Sequence, residues 1–186
     1  MDNGASSYRR YLDGDDEGIA EIVREYREGL ILFLQSFVSD LHTAEDLAED
    51  TFFRLMIRRP RFLEKCKFKT WIYSIARNVA VDWVRKNKWI ADKPVEDMAY
   101  LLADETDLEQ SYIKEERRIM VHRSLAKLSS EYRQVIWLIY FEELSHEDIG
   151  KIMDKSPRQI RNLLYRAKQT LKAVLLKEGF DDEEFR

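Results

Sequence analysis

The C-terminal part of the chain contains the segment SHEDIGKIMDKSPRQIRNLLYR at residues 145–166. Ser145 begins a pattern typical of a capped helix, and apolar residues then recur on one helical face. The apolar pattern then ends, and the start of a second helix follows at once. Ser156 is a candidate N-cap, Pro157 takes the first helical position, and Gln159 can complete a capping box. A short helix, a tight turn and a second capped helix predict a helix-turn-helix.

The second helix of this motif has two different faces. Apolar side chains from Ile160 to Val174 fall on one side at about 100° per residue, and polar or basic side chains fall on the other. A solvated face would explain the charges but not Asn162 and Tyr165 among them. Arginine and asparagine pair bidentately with guanine and adenine edges, so we predict that this face reads duplex DNA. The candidate residues are Arg158, Gln159, Arg161, Asn162, Tyr165 and Arg166.

A second segment, residues 62–89, mixes aromatic and basic side chains. Aromatic rings stack on unpaired bases while cations follow the backbone, so this mixture favours contact with single-stranded DNA. Some of the aromatic residues also fit a helix core, and Trp83 falls on the apolar face. The candidate DNA-binding residues are Phe62, Lys65, Lys67, Phe68, Lys69, Trp71, Asn78, Asp82 and Arg85.

Charge is distributed unevenly along the 186 residues, although the net charge is only -4 at pH 7. Residues 54–69 hold seven basic side chains and one acidic one, and residues 151–177 hold eight basic and one acidic. The stretch between them is acidic: residues 96–116 hold eight acids and one lysine. Two basic blocks in acidic surroundings indicate that the chain contacts nucleic acid at two places.

We predict an all-α fold, because glycine is scarce and no useful length of sequence alternates with period two. Apolar periodicity predicts helices over about 17–38, from Thr43 onward with a capping-box start, and over about 70–87. Periodicity is lost over 92–110, which contains Pro94 and scattered acids and is predicted to be a linker.

The predicted organisation is therefore two small helical domains. The N-terminal domain covers residues 1–92, an acidic linker covers 93–111, and the C-terminal domain with its acidic tail covers 112–186.

Other features exclude several classes of protein. A single cysteine, Cys66, rules out a disulfide framework and fits a reducing compartment, so we expect a cytoplasmic protein. No apolar stretch is long enough for a membrane span, and the N-terminus has no signal pattern. The chain also lacks a phosphate-binding glycine loop, and His146 lacks the second histidine of a zinc protease motif. We predict no enzyme activity, no cofactor and no metal.

Two runs of sequence resemble a known family. Residues 43–54 (TAEDLAEDTFFR) and 68–85 (FKTWIYSIARNVAVDWVR) resemble the first conserved domain of bacterial sigma factors, and residues 128–171 resemble the last. With no domain between them, the chain is similar to the short, extracytoplasmic-function (ECF) type.

The resemblance implies roles for each region. The helix around 46–56 would dock on the clamp helices of core RNA polymerase, the segment 62–71 would capture a base flipped from the melted minus-ten element, and the helix-turn-helix would read the minus-thirty-five element. The linker would thread near the RNA exit path. The residues implied in polymerase binding are Asp46, Leu47, Glu49, Asp50, Phe53 and Arg54.

The resemblance also implies a partner, an anti-sigma factor that covers the polymerase-binding face and is often membrane-anchored. Residues 158–162 read RQIRN where many relatives have GTVKS, so the promoter sequence does not carry over. The alternative is a stand-alone regulator that uses the helix-turn-helix on duplex DNA and dimerises through its N-terminal helices. Such a regulator would not need the aromatic and basic segment.

Overall fold

The computed structural model describes residues 3–38, 40–87, 121 and 123–179. The helices within these residues are α1 (Asn3–Leu12), α2 (Glu17–Leu34), α3 (Leu41–Arg58), α4 (Phe68–Lys86), α5 (Ser130–Tyr140), α6 (His146–Met153) and α7 (Pro157–Lys177). Residues 123–126 are also helical, and no strand occurs in the described part of the chain. The predicted all-α class is confirmed. None of the described helices has the length and apolar character needed to cross a membrane.

Helix α1 was not predicted from the sequence. It packs against α2, and the contact is so close that a Cβ on Gly18 would lie 2.2 Å from the carbonyl oxygen of Ser7. Tyr8 is buried, its hydroxyl donates to the carbonyl oxygen of Pro60 at 2.8 Å, and burial raises its pKa to about 12. Helix α1 therefore holds the chain that leads from α3 to α4.

The bounds of α2 and α3 differ from the predicted ones. Helix α2 ends at Leu34, before the predicted end near 38. Helix α3 begins at Leu41, because the side chain of Asp40 accepts a hydrogen bond from the backbone N–H of Thr43 at 2.8 Å. The predicted capping box at Thr43 is wrong: Thr43 supplies the N–H that is capped, and Asp40 is the N-cap.

The helix-turn-helix is confirmed as α6 and α7. The Ser145 hydroxyl accepts from the N–H of Asp148 at 3.1 Å and begins α6. At α7, Ser156 Oγ accepts from the N–H of Gln159 at 3.2 Å, and Gln159 Oε1 accepts from the N–H of Ser156 at 2.7 Å. This reciprocal pair is the predicted capping box. Between the helices, Asp154 takes a left-handed conformation with φ 54°.

The N-terminal helices form one packed unit, in which α2 contacts α1, α3 and α4. The C-terminal helices form another around buried Leu138, Ile149 and Ile160. The two units also contact each other, mainly through α4 and α6. The predicted linker at 93–111 and the acidic tail at 181–184 lie outside the described residues, so the predicted domain boundaries stay a prediction.

Candidate nucleic-acid and polymerase-binding surfaces

Helix α7 presents a polar face to solvent. Arg158, Arg161, Asn162, Tyr165 and Arg166 are all exposed, while Ile160 and Ala167 on the opposite side are fully buried. The burial follows the two-faced sequence pattern and brings the predicted duplex-reading side chains together near the start of the helix.

Gln159 belongs to the same predicted set, but the structure gives its side chain a local partner. Its Oε1 atom is held by the N–H of Ser156 in the capping box. Gln159 therefore stabilises the start of α7, and its carbonyl oxygen is already engaged in the cap.

The segment that leads into α4 forms an aromatic cluster. The Trp71 ring lies 5.0 Å from Phe62, 5.4 Å from Phe68 and 5.3 Å from Tyr8, measured between ring centroids. Phe62 and Trp71 are half-buried. Phe68 is 0% exposed and forms the floor of the cluster, where it supports the two rings that reach the surface; its predicted contact with DNA stays a prediction.

The basic residues of this segment differ in exposure. Lys65 and Lys67 are exposed, whereas Lys69 is directed toward Glu142 in the C-terminal unit. Further along α4, Asn78 and Arg85 are exposed. Two half-buried rings and exposed cations close to them in the sequence are the residue types suited to unpaired bases and their phosphates.

Asp82 connects this surface to α3. Its carboxylate lies 3.2 Å from Arg85 and 3.8 Å from Arg54. Asp82 is therefore occupied by two guanidinium groups, and the predicted DNA-binding and polymerase-binding sets meet at this carboxylate.

The exposed face of α3 carries acidic and apolar residues. Asp46, Glu49 and Asp50 are exposed, and Phe53 is 57% exposed beside the half-buried Arg54. Leu47 is only 2% exposed and packs into the core, where it positions the helix; its predicted contact with polymerase stays a prediction.

Ile57 is not among the residues predicted from the sequence to bind polymerase, although it is 66% exposed. It lies one turn after Phe53, so the two apolar side chains share a face of α3. Exposed apolar residues rimmed by charges are typical of a protein-binding surface. The signal available in the sequence was a pair of apolar residues four apart and outside the core stripe.

A last group of residues connects the two helical units, and this connection was not predicted from the sequence. Glu142, in the loop between α5 and α6, is 9% exposed and lies 2.7 Å from Lys69 Nζ. Arg133 on α5 donates to the carbonyl oxygens of Leu128 at 2.6 Å and Ser36 at 3.0 Å, and burial lowers its pKa. Among the described residues, no cluster of histidine, cysteine and acidic side chains is placed to hold a metal ion.

Comparison with known proteins identifies both units. The sigma-70 region 2 family model matches residues 22–90, and the sigma-70 region 4 model matches residues 118–171. The first match contains α3 and α4, and the second contains α5, α6 and most of α7.

Individual proteins agree with the family models. The chain is 33% identical over 168 residues to the ECF RNA polymerase sigma factor SigM of Bacillus subtilis, covering 89% of this chain and 99% of SigM. It is 29% identical over 170 residues to SigW of the same organism, covering 87% and 91%. Among solved structures, the sigma factor RpoE of Bartonella quintana, crystallised with the anti-sigma factor NepR, has the same fold (TM-score 0.67, 24% identity, 87% and 98% of the two chains). The chain belongs to the ECF family of RNA polymerase sigma factors.

Proposed function

We propose that three different helices of this sigma factor carry its three binding functions. The exposed face of α3 binds core RNA polymerase, the aromatic cluster and α4 hold the melted minus-ten element, and α7 reads the minus-thirty-five element. The observation that carries this assignment is that the exposed members of the polymerase-binding set share one face of α3, those of the minus-thirty-five set share one face of α7, and the minus-ten set lies on α4 and the segment before it.

Recognition by α7 is direct readout in the major groove. The groove admits a helix, and arginine and asparagine near the start of that helix reach base edges. Each well-formed bidentate contact contributes about 1–3 kcal/mol of discrimination. Arg161 and Asn162 are exposed just after the capped start of α7, and Tyr165 lies one turn further along.

Capture of the minus-ten element uses stacking instead. Extruding a base costs a few kcal/mol, and stacking on an aromatic ring returns about 1–3 kcal/mol. Phe62 and Trp71 supply the rings, and Lys65, Lys67 and Lys69 supply cations to the DNA backbone. Neither this contact nor that of α7 is strong alone, so promoter binding depends on polymerase aligning both.

We assign α3 to polymerase because its exposed face combines acids with two apolar side chains. A phosphate backbone would repel Asp46, Glu49 and Asp50, so nucleic acid is a poor partner for this face. The same face is available to an anti-sigma factor, and RpoE was solved with such a protein. The chain carries no catalytic chemistry of its own; polymerase supplies it.

Run-off transcription tests the assignment as a whole. Core polymerase is incubated with genomic fragments, with and without this chain, and the transcripts are sequenced from their 5′ ends. We expect discrete start sites that require the chain and share two sequence elements upstream. A stand-alone regulator would shift duplex fragments without polymerase and would create no new start sites with core enzyme.

Arg161→Ala is expected to reduce transcription from promoters that use the minus-thirty-five element by about tenfold or more, because one good bidentate contact is worth roughly 1–3 kcal/mol. Gel-shift titration of holoenzyme on matched and mutated elements measures the effect. Lys168→Ala is the control, because Lys168 lies over the Tyr140 ring at 5.7 Å and beyond the reading residues. Equal loss on all DNA would show that Arg161 contacts only phosphate.

Asp50→Lys is expected to weaken binding to core polymerase by about tenfold or more, since it places a cation in the acidic face of α3. Co-purification and fluorescence titration with core enzyme measure the change. Glu28→Lys is the control, because Glu28 is an exposed acid on α2 and the charge change is the same. If both variants bind as the unmodified chain does, the docking surface lies elsewhere.

A further inference from the structure

The two helical units meet around one buried carboxylate. Glu142 lies in the loop between α5 and α6, and its Oε2 atom is 2.7 Å from Lys69 Nζ. Its carbonyl oxygen accepts from the same ammonium group at 3.1 Å, and its Oε1 atom accepts from the indole N–H of Trp137 at 3.1 Å. Lys69 is thus held by two oxygens of a single residue from the other unit.

The N-terminal unit packs closely around the carboxylate of Glu142. A Cβ on Gly29 would lie 2.8 Å from Glu142 Oε1 and 2.5 Å from the Tyr73 hydroxyl, so α2 leaves room there because the residue is glycine. Burial, and then the neighbouring Glu142 carboxylate, raise the pKa of Tyr73 well above its ordinary value. The carboxylate is therefore enclosed by α2 and α4 on one side and by Trp137 on the other.

Three further hydrogen bonds connect the units. On α4, the Thr70 hydroxyl donates to Asp148 Oδ1 at 3.0 Å. Just after the end of α2, the carbonyl oxygen of Ser36 accepts from the hydroxyl of Ser130 at 2.6 Å and from the guanidinium of Arg133 at 3.0 Å. The hydrogen bonds thus lie at separated points between the units, as expected of a defined interface.

This arrangement is incompatible with the proposed promoter complex. Elements named minus-ten and minus-thirty-five are separated by roughly 25 base pairs, or about 85 Å at 3.4 Å per base pair. In the structure α4 and α6 are in direct contact, so one chain in this conformation does not reach both elements on straight DNA. Lys69, which the proposed function assigns to the DNA backbone, is also occupied.

We propose that Glu142 is an intramolecular latch, a carboxylate that takes the place of a DNA phosphate at Lys69 and holds the free chain closed. Promoter DNA and Glu142 then compete for the ammonium group of Lys69. The apparent affinity of the chain for DNA equals the affinity of the open chain multiplied by the fraction of molecules that are open. The inference rests on the proposed function only for the role of Lys69 in DNA binding. The closed state of the free chain is tested independently.

Glu142→Gln removes the charge and keeps the side-chain shape. Its matched control is Glu143→Gln, because Glu143 is the adjacent exposed residue in the same loop. In small-angle X-ray scattering of the free chain, we expect a radius of gyration near the value for a compact chain of this length, about 16 Å, for the unmodified protein and the control. For Glu142→Gln we expect an increase of several ångströms. Titration with a fluorescein-labelled random-sequence single-stranded 20-mer should show affinity about tenfold higher for Glu142→Gln.

A second pair of variants keeps the test valid if circular dichroism shows that Glu142→Gln has lost helix. Lys69→Gln breaks the same contact from the other side and is read by scattering alone; Lys67→Gln, at an exposed neighbour, is its control. The latch is refuted if both variants scatter as their controls do, or if the unmodified chain is already extended. Unchanged DNA affinity in an opened Glu142→Gln chain refutes the competition. Failure of the run-off assay would instead refute the promoter function, whatever the scattering shows.

Discussion

Replacing Gly150 with alanine is expected to abolish use of the minus-thirty-five element by forcing the helix-turn-helix apart. A Cβ at this position would lie 2.5 Å from the carbonyl oxygen of Lys155, which is backbone and not the movable end of a side chain. The turn has little freedom to yield, because Asp154 is already left-handed with φ 54° and Ser156 is fixed by the capping box. Overpacking of this kind costs about 1–3 kcal/mol, occasionally more.

The measurement combines thermal unfolding with run-off transcription. We expect a lower melting temperature and a loss of tenfold or more in transcripts from promoters with an upstream element. Glu147→Ala is the matched control, since it is an exposed residue on the same helix and leaves the turn unchanged. Normal stability and normal transcription by the Gly150→Ala chain would show that the turn relaxes without cost, against the geometry described above.

Replacing Trp71 with alanine is expected to leave polymerase binding intact and to reduce promoter opening by about tenfold or more. The substitution removes a ring that contacts Tyr8, Phe62 and Phe68, and a stacked base would lose about 1–3 kcal/mol. The loss of packing also lowers stability. Permanganate footprinting of unpaired thymines measures opening, and titration with core polymerase measures binding.

Trp83→Ala separates the two effects of the Trp71 substitution. Trp83 lies on the same helix, is partly buried and packs against the core, so its loss also destabilises α4. We expect Trp83→Ala to lower the melting temperature with a smaller effect on opening. If the two variants open promoters equally well at matched folded concentration, Trp71 has only a structural role.

The parts of the fold that follow from local chemistry were predictable from the sequence. The helix-turn-helix is specified within a few residues by Ser145, Ser156 and Gln159, whose hydrogen bonds cap their own helix starts, and by Pro157 at the first helical position. The exposed face of α7 is likewise a local property, because helical periodicity alone separates Arg161 from Ile160.

The features that depend on residues distant in the sequence were not predictable in this way. Leu47 and Phe68 lie in the two runs of sequence that resemble sigma factors. Whether such a side chain faces a partner or the core depends on the helices packed over it. Helix α1 is short and holds its place through Tyr8 and Tyr11 against residues more than forty positions away. Glu142 meets Lys69 across 73 positions, and no periodic pattern encodes that pairing.

The capping role of Gln159 limits how the proposed promoter preference of this protein can diverge. The residue is exposed among the side chains proposed to read DNA, and its Oε1 atom secures the start of α7. A substitution there would remove one of the two reciprocal hydrogen bonds of the capping box. Under the proposed function, substitutions that leave the cap intact fall at Arg158, Arg161, Asn162, Tyr165 and Arg166, and a library for new promoters is best restricted to these five exposed positions.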